Sequence, residues 1–369
     1  MTISIIEPVG GHGAMDYYDY GLAQGLAENG VNVLLYTSDE TTVRTYKNVQ
    51  SKLIFKGLWA SAFLKKTWLY MKGHGVAYAD SRKNKVKIVH LHFFYFRGID
   101  LVILLMAKFY GLKSVVTVHD VNSFHRHSLK FIEKLCYRLI NGVIVHNYTS
   151  RDIIKEKSVK LRELSVIPHG NYLPFISVNC KTIAPSDQFT ILFFGQIKKV
   201  KGVDVLLKGI SHVTAVNKKI RLLIAGRPWK YDLTNYENMI AELGLSAFVE
   251  TDFRYVPDEE VACFFERADL VVLPYTEIYQ SGVLLLSMSY GKPLLCSDLK
   301  PFKEVIKDNE NGFLFKSQDD QDLADKLLKI MKDPQLLMKV SENASKQIRK
   351  DFDWGDIGRK TLELYKKIH

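Results

Sequence analysis

The sequence predicts an α/β protein with parallel sheets, folded as two doubly wound domains. Three observations carry that reading. Short apolar runs alternate with longer segments of helical period along most of the chain, the pattern of strand–helix units in parallel sheets. The length of 369 residues favours two domains. A polar stretch, Val178–Asp187, carries Pro185 and interrupts the pattern near the middle, so it reads as a linker.

In the first half the expected strands are Thr2–Ile6, Val31–Tyr36, Val86–Leu91, Ser114–Val118, Gly142–Val145 and Leu164–Ile167. Helical periods lie between them, notably at 15–29, 98–110 and 128–140. In the second half strands are expected at Thr190–Phe194, Arg221–Ala225, Phe248–Thr251, Leu270–Leu273 and Leu294–Cys296. Helices are expected near 203–216, 234–243, 258–266 and 282–290. After Phe315 the pattern is helical, with Asp319–Met331, then Pro334–Lys350 capped by Asp333, then Trp354–Ile368.

Hydrophobic residues make up 47% of the chain and charged residues 25%, a globular composition with material for two cores. Cys136, Cys180, Cys263 and Cys296 are scattered without a C-x-x-C pair. They are expected as reduced, small core residues in a reducing compartment, with no zinc site. The start, Met1–Glu7, is too short and too acidic at its end for a signal peptide. The most apolar run, Ile99–Ala107, contains Asp100 and is far shorter than the roughly 20 apolar residues of a membrane span. The expectation is a cytoplasmic protein, soluble or peripheral.

The positive charge is uneven. Residues 1–168 carry 23 Lys and Arg against 13 Asp and Glu, whereas the remainder is close to neutral. Residues 47–87 are the densest, with Lys65, Lys66 and Lys72 interleaved with Trp59, Phe63, Trp68 and Met71. That is the composition of an interfacial segment drawn to an anionic membrane surface. A solvated basic face with inward aromatics is the alternative. No nucleic-acid-binding motif accompanies the charge.

Two segments suit a phosphate. In 271–293 a buried strand ends at Leu273, a polar loop follows, and a helix opens at Ser281-Gly282. A helix start presents unpaired N–H groups and a partial positive charge. Upstream, Gly195-Gln196-Ile197-Lys198-Lys199-Val200-Lys201-Gly202 turns out of a strand and offers Lys201 as a mobile cation. No Asp-x-Asp signature or acidic cluster marks a metal site, so neither metal nor other cofactor is expected.

These segments join others in a recurring order. Pro8-Val9-Gly10-Gly11-His12-Gly13 precedes a helix, Val116-Thr117-Val118-His119-Asp120 ends a strand, and Val166-Ile167-Pro168-His169-Gly170-Asn171 sits where a hinge would. Gly291-Lys292-Pro293 closes the helix that opens at Ser281. In this the chain resembles the family-four glycosyltransferases of GT-B fold. The resemblance implies two Rossmann-like domains facing a cleft, at 1–177 and 178–350. The terminal helix, 351–369, would cross back to brace the first.

The implied reaction is transfer of a hexose from a nucleotide-diphosphate sugar, the co-substrate, to a saccharide or lipid-linked saccharide, with retention of configuration. By resemblance, Lys201, Gln196, Ser281, Gly282, Val283 and the backbone of Gly11 would meet the donor diphosphate. Glu277 and Gln280 would meet the donor sugar, and the Arg254-Tyr255-Val256 segment the nucleoside. His119 would orient the reacting centre. Asp120 or Asp16 would act as base if the reaction inverts, and His12 with Asp16 would face the acceptor. Two positions depart from the family pattern: Leu286 stands where the second acid of Glu-x7-Glu is usual, and Gln196 stands for an Arg. An epimerase of the same fold, or a non-catalytic relative binding nucleotide or membrane, are the alternatives.

Overall fold

The computed structural model describes residues 1–369 except 14, 122–129, 158, 177–179, 181–186 and 230–232, and gives 12 and 13 as backbone only. The chain divides into two compact units, Met1–Gly170 with Phe352–His369, and Asn171–Asp351.

In the first unit the order is β1 (Thr2–Ile6), α1 (Asp16–Glu28), β2 (Asn32–Ser38), β3 (Val49–Phe55), α2 (Phe63–Lys83), β4 (Ile88–Phe93), α3 (Gly98–Phe109), β5 (Lys113–Val118), α4 (Lys130–Leu139), β6 (Gly142–Val145), α5 (Tyr148–Glu156) and β7 (Leu164–Val166). All seven strands are parallel, in the order β3-β2-β1-β4-β5-β6-β7. The order reverses at β1 and β4, the switch point where open α/β sheets collect ligands at the carboxyl ends of strands. The central strands β1, β4 and β5 are buried along almost their whole length because helices cover both faces. Ile3, Ile5, Leu35, Val89, Leu91, Val115 and Val116 are all fully buried.

The second unit runs β8 (Phe189–Phe194), α6 (Val203–Val216), β9 (Ile220–Ala225), α7 (Thr234–Glu242), β10 (Val249–Asp252), α8 (Asp258–Arg267), β11 (Leu270–Leu273), α9 (Gly282–Ser289), β12 (Leu294–Ser297), α10 (Lys300–Lys303), β13 (Phe313–Phe315), α11 (Asp320–Met331) and α12 (Pro334–Asp351). Its parallel sheet has the order β10-β9-β8-β11-β12-β13, with the reversal at β8 and β11. The last helix, α13 (Trp354–Ile368), packs against α1 and completes the first unit. Its Trp354 is buried against Tyr18, ring centroids 5.6 Å apart.

Three features differ from the sequence expectation. The segment 47–87 is not one surface stretch: it contains the whole of β3 and α2. β3 lies at the sheet edge with Gln50, Ser51 and Lys52 in it, so it shows no continuous apolar run. α5, the short α10 and the three-residue β13 are further elements outside that expectation. The cysteines are corrected most. Cys180 and Cys263 form a disulfide across 83 residues, their Cα atoms 5.2 Å apart, whereas Cys136 and Cys296 are free and buried. Such separation leaves no local pattern, and only folding brings the chain at Cys180 beside α8. Among the described residues no helix is long and apolar enough to cross a membrane.

Candidate functional site

In the second unit the loops that follow β8 and β11 are pressed together. After β8, Gly195 N–H donates to Ala225 O at 2.9 Å, and Ile197 N–H donates to Arg227 O at 3.0 Å. The chain then makes a 3₁₀ turn over Lys199–Lys201 and leaves it at Gly202, whose φ is +66°. A Cβ there would lie 1.9 Å from Pro274 O. Only glycine combines that left-handed conformation with so close a backbone approach. Thr276 N–H also donates to Val200 O at 2.9 Å, so the two loops are tied on both sides of Pro274 and Tyr275.

This packing sets Lys201 Nζ 3.6 Å from the centroid of the Tyr275 ring. Tyr275 is fully buried, and burial pushes its phenol up while a hydrogen bond with Ser281 opposes. Ser281 is the N-cap of α9: its Oγ accepts the N–H of Leu284 at 3.2 Å. The cap leaves Gly282 and Val283 N–H at the open end of the helix. Tyr172 approaches that end, and a Cβ on Gly282 would lie 2.8 Å from its hydroxyl. Lys201, Ser281, Gly282 and Val283 therefore belong to one set of interlocked loops.

The other expected residues of this unit are placed less closely. Gln196 is exposed. Glu277 is exposed and Gln280 half-buried in the loop between β11 and α9. Arg254 pairs through Nε with Asp252 at 2.9 Å and also with Glu260, so its charge is already engaged. Tyr255 is exposed beside it, and Val256 is buried.

In the first unit β1 leads into a 3₁₀ turn, Gly10–Gly13, that includes Gly11. Glu7 builds this turn. Its carboxylate is fully buried and accepts Val9 N–H at 2.9 Å and Gly10 N–H at 2.5 Å. Burial pushes its carboxyl up to about 7 against the lowering by those two bonds. The sequence offered no sign of this role, because it depends on burial. The side chain of His12 lies outside the described residues. Asp16 is buried at the start of α1, and Asp120 is half-buried directly after His119.

The same sheet carries a row of histidines at its carboxyl edge. His92 Nδ1 is 3.3 Å from His119 Nε2, and His119 Nδ1 is 3.3 Å from His146 Nε2. His146 Nδ1–H donates to Ile167 O at 3.0 Å. His90 meets the Tyr365 hydroxyl through Nδ1 and Thr117 Oγ1 through Nε2, both at 2.7 Å. The Tyr18 ring lies 5.0 to 5.3 Å from the rings of His92, His119, His146 and His169. Burial holds all of them toward the neutral form: His146 falls to about 4, His90 and His169 to about 3, and His92 and His119 well below the ordinary range.

Asp19 Oδ1 lies 3.9 Å from His92 Nδ1, and burial followed by the charge of Glu7 pushes the Asp19 carboxyl well up. Among the described residues no group of three or more His, Cys, Asp or Glu is arranged to hold an ion. The strand-end motif of the sequence singles out His119. It passes over His146, although equal steps of 27 residues from His92 to His119 to His146 are available as a signal.

Two family models match the chain. One, Glycosyltransferase Family 4, covers residues 17–171, and the other, Glycosyl transferases group 1, covers 180–347. The chain is 29% identical over 196 residues to a D-inositol 3-phosphate glycosyltransferase of a Nocardioides species, covering 50% of this chain and 42% of that one. The chain spans about half the length of the curated relatives it matches. Among solved structures, the sucrose-phosphate synthase of Thermosynechococcus elongatus superposes with a TM-score of 0.80 at 17% identity, covering 100% of this chain and 99% of that one. The Anabaena protein HepE, solved with UDP-glucose, superposes with a TM-score of 0.74 at 16% identity, with both chains covered entirely. Both share the fold of two parallel-sheet α/β units.

Proposed function

Since the chain belongs to the family-four glycosyltransferases of GT-B fold, we propose that it transfers a hexose from a nucleotide-diphosphate sugar to a saccharide or lipid-linked saccharide. The observation that carries the proposal is the set of interlocked loops of the second unit. It offers a lysine cation at 3.6 Å from the Tyr275 ring and the open N–H groups of a capped helix. Together these suit an anionic diphosphate, which gains most from a fixed cation and aimed dipoles as it leaves. HepE, solved with UDP-glucose, has the same fold and supports a nucleotide-sugar donor.

In this reading Lys201 neutralises the leaving diphosphate, with Gly282 and Val283 N–H, while Gln196 adds a neutral hydrogen bond. Glu277 and Gln280 hold donor hydroxyls. The backbone around Tyr255 and Val256 reads the base, since Arg254 is engaged by its own acids. His119 orients the reacting centre. Retention of configuration is part of the proposal; an inverting reaction would need Asp120 or Asp16 as base. The acceptor is drawn from a membrane surface at the cytoplasmic face, in assembly of a surface polysaccharide or glycolipid, and the exposed apolar and basic side of α2 supports that setting.

The test is nucleotide release from a panel of sugar nucleotides with and without a lipid-linked acceptor. Lys201→Ala is expected to remain folded and to cost about 2–4 kcal/mol in the barrier. Turnover within threefold of the wild type in the folded variant would reject the assignment. Acceptor-independent conversion of the donor sugar would indicate an epimerase.

A further inference from the structure

We infer that His92 and His146 are positioning residues that lock the ring of His119 in a single tautomer, with Nδ1 protonated and Nε2 accepting. The direction follows from one fixed group. Ile167 O is a carbonyl and only accepts, so His146 Nδ1 carries the proton of their 3.0 Å contact. A neutral imidazole has one N–H and one lone pair. His146 Nε2 is therefore an acceptor, and the proton of the 3.3 Å contact with His119 sits on His119 Nδ1. The same step leaves His119 Nε2 as acceptor, so His92 Nδ1 donates across the next 3.3 Å contact.

The row ends as this direction requires. His92 Nε2 is then a bare lone pair, and it is buried without a hydrogen-bond partner among the described residues. Protonation of His119 or His146 would place two donors face to face, and burial disfavours both cations. The register makes the row. β4 pairs His92 with Thr117, so His119 lies diagonally beyond it, and β6 brings His146 alongside His119. Packing fixes the rings as well as the protons. His119 stacks on His92 at 26°, and Tyr18 meets His119 edge-on at 84°. A ligand that reaches the Nε2 side of His119 meets a lone pair shared with His92, so it must arrive as a hydrogen-bond donor. For a sugar, that selects a hydroxyl over a fluoro or methoxy group.

The consequence for turnover rests on the proposed role of His119; the tautomer does not. The experiment begins with long-range ¹H–¹⁵N correlation spectra of the unaltered protein, ¹⁵N-labelled at histidine. His119 should show Nδ1 as the protonated nitrogen, and an Nε2–H signature would overturn the lock. His146→Leu should release His119 into both tautomers and lower turnover about 10–100-fold, with little change in donor KM. His146→Gln, which keeps an acceptor facing His119 Nδ1, should restore the single tautomer and most of the rate.

An unchanged His119 signature in folded His146→Leu would also overturn the inference. If the tautomer is released but turnover persists in both His146→Leu and His119→Ala, the lock stands and the catalytic reading of His119 falls. Loss of turnover in His119→Ala alone, with His146→Leu fully active, would show that the lock does not position the reacting group.

Discussion

Gly202 carries two constraints, and they are separable. Its φ of +66° would strain any residue with a Cβ, and that Cβ would also collide with Pro274 O at 1.9 Å. Gly244 has the same φ with nothing within 4 Å. Gly244→Ala should therefore cost only the left-handed conformation, about 1–2 kcal/mol. Gly202→Ala should cost clearly more and weaken donor binding too, because the loops around Lys201 must part. Denaturant unfolding of both variants checks this, and equal losses would mean that the Pro274 contact yields freely. Residues of this kind were legible because they sit in local motifs: a glycine turn after a strand, a Ser-Gly helix start. Glu7 was not legible. Its meaning arises only when the carboxylate is enclosed with the N–H groups of Val9 and Gly10. Arg254 shows the converse, since its motif position suggested a ligand contact and folding gave it Asp252 and Glu260.

Helix α2 divides its residues between two sides. Gly73, His74, Ala77 and Tyr78 are buried, whereas Leu64, Trp68 and Met71 form an outward stripe at helical spacing, and Phe63 stands beside it. Phe63 and Leu64 are more than 80% exposed, which is costly in water and favourable at a bilayer surface. Lys72 Nζ lies 4.7 Å from the Trp68 ring. Trp59, by contrast, donates through its indole N–H to Pro8 O at 3.0 Å and belongs to the fold. Binding to vesicles should rise with anionic lipid and fall with salt, since each lysine near such a surface contributes about 1 kcal/mol. Replacing Lys65, Lys66 and Lys72 by Glu should abolish the anionic preference, while Phe63→Ser with Leu64→Ser should weaken binding at every salt concentration. Equal sedimentation with neutral and anionic vesicles would reject docking by charge. The basic-aromatic composition revealed this helix only in part. Edge strand β3 was hidden because the polar run Gln50-Ser51-Lys52 fills nearly half of it, whereas the buried strands announce themselves by their apolar content.

Across the whole molecule the buried histidines dominate the response to acid. His74 and His146 fall to about 4 and His90 and His169 to about 3 in the folded protein, from ordinary values near 6.5. A depressed value means that unfolding takes up protons below pH 6.5. Stability from these groups is complete above that pH and is lost as pH falls toward 3. Glu7 opposes the trend, since its raised value of about 7 adds stability as pH falls from 7 toward 4.5. Four histidines outweigh it, so the melting temperature should drop steeply from pH 7 to 5, with more than one proton bound on unfolding. A flat profile over that range would show that the histidines are hydrated. The parallel sheets were foreseen from strand–helix alternation. The Cys180–Cys263 bond was not, because nothing short of the folded chain joins residues so far apart. Helix α13 has a consequence for biosynthesis. The first unit needs residues 352–369, yet the whole of 171–351 is translated before they exist. At about 5–20 residues per second the ribosome holds the first unit without its last helix for roughly 10–40 s. Through that interval the groove along α1 that receives Trp354 stays open on the nascent chain, a natural landing place for a chaperone.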